Sequence, residues 1–248
     1  PESTLNPATV ERYQRMRVRV MRQVHYSTAT QHSLDLVLFV NGLPVATVEL
    51  KNPLTGQTVE HAMRQYRYDR DPAELIFRNR AVVHFAADTE QVYMTTKLAG
   101  KATRFLPFNQ GSNGPGVAGT AGNPVNPEGH RTDYLWEEVW DRSAWLALFG
   151  SFVHVEDVLD DNGRPTGDRQ VLFPRYHQWD VVTKMLAATR ANGPGVNYLG
   201  QHSAGSGKSN SIGWLAHSLS RLHTPGDPAE VTEEVRRKGF NANEPILH

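Results

Sequence analysis

Two apolar segments separated by an Asn-Gly pair constrain the fold of this chain more than any other feature. Ser33–Val40 reads SLDLVLFV and Val45–Lys51 reads VATVELK. β-Branched and apolar residues on both sides of Asn-Gly are typical of a β-hairpin. Such a hairpin places Asp35, Glu49 and Lys51 together at its open end, so the first question is which way their side chains point.

The turn length decides whether Asp35 and Glu49 share a face. A turn made of the Asn-Gly pair alone pairs Asp35 with Val48 and sends Glu49 to the other face. A three-residue loop, Asn41–Leu43, pairs the two carboxylates directly, and its glycine supplies the left-handed conformation that such loops use. We predict the three-residue loop. The facing carboxylates then repel unless a cation lies between them.

The composition limits which classes of protein this chain can belong to. The 248 residues suit one large domain or two ordinary ones, and 26 basic residues balance 26 acidic ones. Nucleic-acid binding therefore requires a local basic surface. With no cysteine, the chain has neither disulfides nor thiolate metal sites. No apolar run reaches transmembrane length, so we expect a soluble cytoplasmic protein with no membrane partner. Separately, we expect the chain to be a fragment of a longer protein. Arginines cluster at positions 12, 15, 17, 19 and 22, and at 64, 67, 70, 78 and 80.

Apolar periodicity and turn residues predict an α/β fold, a mixed sheet flanked by helices. A long Gly/Pro/Asn-rich loop follows at Phe108–Arg131. The turn-rich segment Asp160–Gly167 is our predicted boundary between domains 1–160 and 161–248. The predicted helices are Pro7–Arg15, Gln57–Asp69, Tyr134–Val155, Tyr176–Arg190, Lys208–Leu222 and Asp227–Lys238. One strand is predicted to begin at Met16, and two more form the hairpin. Further strands are predicted at Ala81–Ala87, Gln91–Lys97 and Val196–Leu199.

The residue types at the open end of the hairpin suit metal-dependent phosphodiester hydrolysis. Magnesium prefers hard oxygen ligands, which Asp35 and Glu49 provide. Lys51 projects from the same face and could orient the nucleophile or stabilise negative charge. The alternative is a surface ion pair at the edge of a sheet.

Leu34-Asp35 together with Glu49-Leu50-Lys51 resembles the PD-(D/E)XK nuclease superfamily, in which these residues form a magnesium-dependent active site. The following segment, GQTVEHAMRQYRYDRDP, resembles the helix after the nuclease core in type I restriction enzymes. That resemblance implies a catalytic role for Gln65 on this helix.

A second motif, HSAGSGKS at His202–Ser209, fits a phosphate-binding loop except at its first position. Backbone amides around Gly205, Ser206 and Gly207 would surround phosphates, Lys208 would reach the β- and γ-phosphates, and Ser209 would hold magnesium. The alternative is a chance glycine-rich turn. The predicted strand before the loop and the helix after it match the expected context.

The upstream segment FPRYHQWD resembles the adenine-reading segment of superfamily 2 helicases, with Gln178 at the base-contacting position and Arg175 beside it. The resemblance implies ATP binding at the start of a RecA-like motor lobe. No apolar strand ending in Asp-Glu follows the phosphate loop, so we do not expect this chain alone to hydrolyse ATP productively.

Taken in order, these segments resemble the restriction (R) subunit of type I restriction-modification enzymes. The resemblance implies cleavage of unmethylated double-stranded DNA coupled to ATP-driven translocation, with Mg²⁺ and ATP as cofactors. It also implies methylation (M) and specificity (S) subunits as partners. Two alternatives remain open: a DNA-repair nuclease-helicase of the same superfamily, and a non-catalytic docking module with a vestigial hairpin.

Overall fold

The computed structural model describes residues 7–193 and 195–222. These residues form two compact units, one of them Arg17–His177 and the other the described residues before Arg17 and from Gln178 onward. The larger unit contains a six-stranded sheet and the smaller one the phosphate-loop motif. Within the described residues, no helix is both long and apolar enough to cross a membrane.

The sheet follows chain order, and five neighbouring pairs hold it together. Four pairs are antiparallel, whereas β3 and β4 are parallel because helix α2 crosses over between them. The predicted mixed sheet is therefore confirmed. Its strands are β1 Val18–His25, β2 Ser33–Val40, β3 Leu43–Leu50, β4 Val83–Ala87, β5 Val92–Thr95 and β6 Leu106–Pro107.

Most of the predicted helices are confirmed, with small shifts at their ends. The exception is Tyr134–Val155, where a single π-helical turn at Leu135–Val139 precedes a separate helix. That second helix begins because the Asp141 side chain accepts bonds from the first free amides. The predicted helix Asp227–Lys238 lies outside the described residues. The α-helices are α1 Pro7–Arg15, α2 Val59–Tyr68, α3 Arg142–Ser151, α4 Tyr176–Asn192 and α5 Lys208–Leu219.

Our prediction of a three-residue loop in the first hairpin was wrong. Val40 pairs with Leu43, so the turn contains only the Asn-Gly pair, and both of its residues have positive φ. A β-bulge between Leu38 and Phe39 then shifts the register by one residue. Beyond it Leu36 pairs with Val48, and one further step places Asp35 opposite Glu49. The carboxylates thus share a face through a bulge, not through a longer loop.

The segment interpreted as a domain boundary is the turn of another hairpin. Strands β7 (His154–Leu159) and β8 (Pro165–Leu172) pair antiparallel, and Asp160 caps the turn by accepting bonds from Asn162 and Arg164 amides. The sequence did not indicate these strands because most of their residues are exposed and lack an apolar face. The larger compact unit continues past this turn to His177.

The sheet buries both faces. On one face α2 and the π-helical turn Ile76–Arg80 pack on Val37 and Ala86. On the other, Phe85 forms edge-to-face contacts with aromatic rings from the long loop, the segment before α3 and the segment before α4. The tryptophans Trp140 and Trp145 are buried in this second layer. Helix α2 is consequently held against the face that carries Glu49.

Candidate functional site

Alternate residues at the end of β3 face α2 and are polar. Thr47 and Glu49 are fully buried, and Lys51 follows directly after the strand. The Lys51 Nζ donates to Gln65 Oε1 at 2.6 Å. The period of two along a strand thus brings three polar side chains under one helix. Gln65, which the resemblance named as a site residue, thus contacts Lys51.

Glu49 forms a buried ion pair that the sequence did not lead us to expect. Arg70 donates from Nε at 2.7 Å and approaches from Nη2 at 2.6 Å, both toward Glu49 Oε1. The same Nη2 donates to the Ser33 carbonyl, and the guanidinium lies 5.7 Å from the Tyr26 ring centroid. The cation that offsets carboxylate repulsion here is therefore an arginine.

The second oxygen of Glu49 has no partner. Its Oε2 is buried without a hydrogen bond among the described residues, although unpaired carboxylate oxygens are costly in an apolar interior. Burial raises the pKa of Glu49 to about 8, the Arg70 guanidinium lowers it in part, and the Asp35 charge raises it further. A divalent cation bound at Oε2 would stabilise the ionised form of this carboxyl group.

Asp35 is held in place by both of its oxygens. Its Oδ2 accepts from the Leu50 amide at 2.8 Å and its Oδ1 from Gln23 Nε2 at 3.1 Å. Gln23, on the edge strand β1, has φ of 49°, a left-handed conformation that is uncommon for a residue with a side chain. Asp35 is half-buried, so one of its sides faces solvent.

Below these charges lies a buried polar chain. The Thr47 hydroxyl is 2.7 Å from the Tyr66 hydroxyl and 2.8 Å from His84 Nδ1. His84 Nε2 is buried without a partner, and burial lowers the pKa of this imidazole to about 3. These contacts fix α2 on β3 and β4, and with it Gln65.

The start of α2 is also anchored. Asp88, directly after β4, accepts from the Val59 amide at 2.7 Å, which satisfies one of the free amides of the first turn. His61 Nδ1 accepts from the Thr58 amide at 3.1 Å. The histidine therefore has a capping role rather than a place among the two carboxylates.

The site thus contains two carboxylates, a lysine and a glutamine on a rigid frame. No group of three or more His, Cys, Asp or Glu side chains suited to a metal occurs in the described part of the chain. Asp35 and Glu49 are the charged oxygen donors of this set. This set fits magnesium, which is commonly bound through one or two carboxylates while keeping several waters.

Arg70 and His84 are the residues that sequence reasoning missed, and the sequence carried a signal for both. Ala62, Tyr66 and Arg70 are spaced by four, so Arg70, just past the end of α2, continues the line of its buried face. His84 lies in an apolar strand at an inward position. A polar residue on a buried face indicates a buried partner.

The phosphate-loop motif has the backbone that its glycines allow. Gly205 and Gly207 have φ of 70° and 80°, and α5 begins at Lys208. Ser206 Oγ and Lys208 Nζ both bond to the Ser203 carbonyl, at 2.8 and 2.9 Å. Ser209, in the first turn of α5, is exposed.

The residues predicted to read adenine have other contacts in the structure. Gln178 Nε2 donates to the Gly207 carbonyl at 3.0 Å and lies 3.3 Å from the Ser206 carbonyl. Arg175, in the larger unit, donates from Nε to the Pro107 carbonyl at 3.4 Å, and burial lowers the pKa of its guanidinium. Gln178 is thus bonded to the loop itself.

The strand predicted at Val196–Leu199 is not formed. These residues are exposed, Leu199 to 90%, and have no regular structure. A single parallel strand cannot form by itself because its backbone groups need a neighbouring strand, and none pairs with this segment within residues 7–193 and 195–222. A RecA-like sheet is therefore absent from the described residues, while the loop and its helix are present.

Comparison with known proteins gives one match, over the part of the chain from α1 to just past β5. Residues 8–103 match the family model described as "Type I restriction enzyme R protein N terminus". This range contains both carboxylates, the lysine and the glutamine of the site, and ends well before the phosphate loop. A search of curated proteins found no match.

Proposed function

We propose, from the premise that residues 8–103 belong to the family of type I restriction enzyme R protein N termini, that this chain carries the nuclease site of such a subunit. The site cleaves phosphodiester bonds of unmethylated double-stranded DNA with the help of Mg²⁺. A single observation carries this proposal: Glu49 Oε2 is a buried, unpartnered carboxylate oxygen in the register that places Asp35 opposite Glu49.

The metal would be held by Asp35 and Glu49. When bound there, Mg²⁺ supplies charge stabilisation for the scissile phosphate and lowers the pKa of a coordinated water. The remaining work belongs to the chain. Leu50 and Gln23 orient Asp35, and Arg70 fixes Glu49 by its other oxygen.

Lys51 supplies the positive charge on the reacting side. Its ammonium group is held by Gln65 Oε1, so its direction is set before DNA arrives. A preorganised cation aimed at a phosphoryl oxygen stabilises the negative charge that develops during hydrolysis. Gln65 is therefore a positioning residue for the lysine, and its hydrogen bond is the reason for its assignment to the site.

We propose that the phosphate loop serves ATP-driven DNA translocation. Gly205, Ser206 and Gly207 would direct amides at phosphates, Lys208 would contact the β- and γ-phosphates, and Ser209 would coordinate Mg²⁺. Gln178 would exchange its present contacts with the Ser206 and Gly207 carbonyls for the nucleotide. Methylation and specificity subunits would supply sequence recognition in the cytoplasm, so this chain binds DNA mainly through phosphates.

The test is nicking of supercoiled plasmid by the R subunit assembled with its partner subunits, ATP and Mg²⁺. Lys51→Ala should lower the cleavage rate about 10²- to 10³-fold while ATP hydrolysis continues. Lys97→Ala is the matched control, because Lys97 is an exposed lysine with no side-chain contact to either carboxylate. Cleavage that survives Lys51→Ala would remove the hairpin from the nuclease site.

A further inference from the structure

The outer face of α2 carries a group of cations around an exposed tyrosine. Arg64 and Lys101 lie 5.8 and 5.9 Å from the Tyr68 ring centroid, and the ring is 58% exposed. Arg67 stands beside them and is fixed by its bond to the Thr103 carbonyl. We call these four residues the Tyr68 patch: Arg64, Arg67, Tyr68 and Lys101.

The cations of the Tyr68 patch are not neutralised by carboxylates. Among the described residues, none of the three forms an ion pair, although Glu60 lines the same cavity. That cavity is a concave surface of about 570 Å³ along α2. Two arginines against one glutamate leave its lining with a net positive charge, and a concave positive surface concentrates anionic ligands.

The Tyr68 patch adjoins the candidate nuclease site. Tyr68 also lines a second cavity of about 510 Å³, whose lining includes Gln65 and Arg70. Those two residues contact Lys51 and Glu49 directly. Tyr68 therefore lies between the candidate nuclease site and the basic surface. A DNA strand bound at the candidate site would extend to the Tyr68 patch.

The charge on the two sides of Tyr68 is opposite. The second cavity is lined by Asp69, Asp71 and Glu74, which repel a phosphate chain, whereas the other side carries Arg64 and Lys101. A backbone that leaves the site is directed toward the cations. An exposed aromatic ring among cations is a combination that binds nucleic-acid strands, through stacking or sugar contact together with phosphate contact.

We propose that the Tyr68 patch binds the DNA backbone flanking the phosphate that is cut, with Arg64 and Lys101 on successive phosphates and Tyr68 against the sugar or base between them. The inference rests on the proposed nuclease function, since it assigns further substrate contacts to the same site. Arg67 supports the patch by its fixed position and adds charge.

The test is fluorescence anisotropy of a short duplex with this chain in EDTA, repeated over a series of salt concentrations. Removal of one phosphate contact lowers the slope of log affinity against log salt by about 0.9. Arg64→Ala with Lys101→Ala should therefore lower it by about 1.8. Tyr68→Ala should weaken binding about tenfold at fixed salt, whereas Tyr68→Phe should retain it.

The matched control is Arg78→Ala with Arg80→Ala, because these arginines are exposed and line neither cavity. Circular dichroism of each variant checks that it folds. A slope that stays unchanged in the Arg64/Lys101 variant, or that falls equally in the control, overturns the proposal.

Binding in EDTA is independent of cleavage, so the two proposals fail separately. If the slope falls as expected while plasmid nicking is unaffected by Lys51→Ala, DNA binding by the Tyr68 patch is confirmed and the nuclease assignment is wrong. If nicking requires Lys51 while the slope does not respond, the Tyr68 patch alone is wrong.

Discussion

The candidate nuclease site and the phosphate loop are built in different ways. Glu49 is fully buried, paired with Arg70 and covered by α2, from which Tyr66 bonds to Thr47 and Gln65 to Lys51. The phosphate loop is exposed over most of its length, and its bonds run mainly between its own neighbours, as from Lys208 to Ser203. The first site depends on tertiary packing, and the second on local backbone conformation.

This difference tells us what each motif needs in order to exist. Two glycines with positive φ and a following helix suffice to shape a phosphate loop, even where the preceding strand is missing. The carboxylate pair needs a bulge, a parallel crossover and a buried counter-charge before its oxygens face the same way. Substitutions should therefore affect folding at the first site and ligand affinity at the second.

The largest difference should come from the buried ion pair. Arg70→Leu removes both contacts to Glu49 Oε1 and leaves a buried carboxyl group with no partner, which should lower the free energy of unfolding by about 3 kcal/mol. Lys208→Leu, at an exposed position of the phosphate loop, should change it by less than about 0.5 kcal/mol. Urea unfolding with an unchanged m-value measures both.

The double variant Glu49→Leu with Arg70→Leu separates the ion pair from packing. Because a buried carboxyl group with no partner is the main cost, removing both polar groups should restore most of the lost stability. If the double variant is as unstable as Arg70→Leu alone, packing around Arg70 matters more than its charge.

At the phosphate loop, a substitution should change the affinity for nucleotide and leave the stability of the fold unchanged. Lys208→Ala removes a charge-assisted contact worth about 2 kcal/mol and should weaken ATP binding between tenfold and a hundredfold without loss of stability. Lys184→Ala, which removes only an exposed ion pair with Asp180, is the control. Titration with a fluorescent ATP analogue measures both, and equal affinities for the two variants would argue against a nucleotide site.

Acid should destabilise the first region through His84. Its pKa is about 3 when folded against an ordinary 6.5, so between these values the unfolded chain binds more protons. Stability attributable to this residue is present above pH 6.5 and falls by about 1.4 kcal/mol per pH unit below it. Glu49 acts oppositely, because its raised pKa favours folding at low pH.

Hydrogen exchange of the β4 amides between pH 7 and pH 5 measures this effect. Comparing wild type with His84→Gln isolates the contribution of His84 to the pH dependence of stability. His202→Gln serves as the contrast from the phosphate loop, since His202 is only partly buried, and burial together with the Lys208 charge lowers its pKa. A wild-type profile that matches His84→Gln would show that the buried imidazole takes up a proton without cost.

The smallest expected effect compares two glycines within the phosphate loop. Gly207→Ala puts a Cβ 2.4 Å from Gln178 Nε2 at a positive φ, whereas a Cβ at Gly205 meets nothing within 4 Å. Both substitutions carry left-handed strain of about 1 kcal/mol. Only Gly207→Ala should also displace Gln178, which thermal unfolding of the two variants will resolve as a lower midpoint for Gly207→Ala.

Local patterns predicted the helices and the strands with an apolar face well. Pro7–Arg15 and the α2 region follow from periodicity and capping residues, and their structures agree. The contact between Lys51 and Gln65 was also within reach, because the family resemblance placed both near one site. The helices and strands were predictable because neighbouring residues in the sequence determine them, whereas the Lys51–Gln65 contact depended on the resemblance.

The features that sequence analysis missed depend on distant partners. The bulge beside Leu38 reflects how the hairpin packs on both faces, and no residue type near it requires a bulge. The β7–β8 hairpin is polar, so it lacks the apolar alternation that marks a strand. Val196–Leu199 has the composition of a strand but no neighbour to pair with, and composition alone does not reveal that.

The bulge in the first hairpin has a consequence for how its length can change. Val45 is the extra residue on β3, lying between the pairs Leu38–Ala46 and Phe39–Pro44. A chain lacking Val45 would pair without a bulge and would still bring Asp35 opposite Glu49, because the deletion shortens β3 by the residue that the bulge absorbs. The hairpin can thus lose this residue while the two acidic positions stay aligned, so the length of β3 is a poor guide to whether the site is intact.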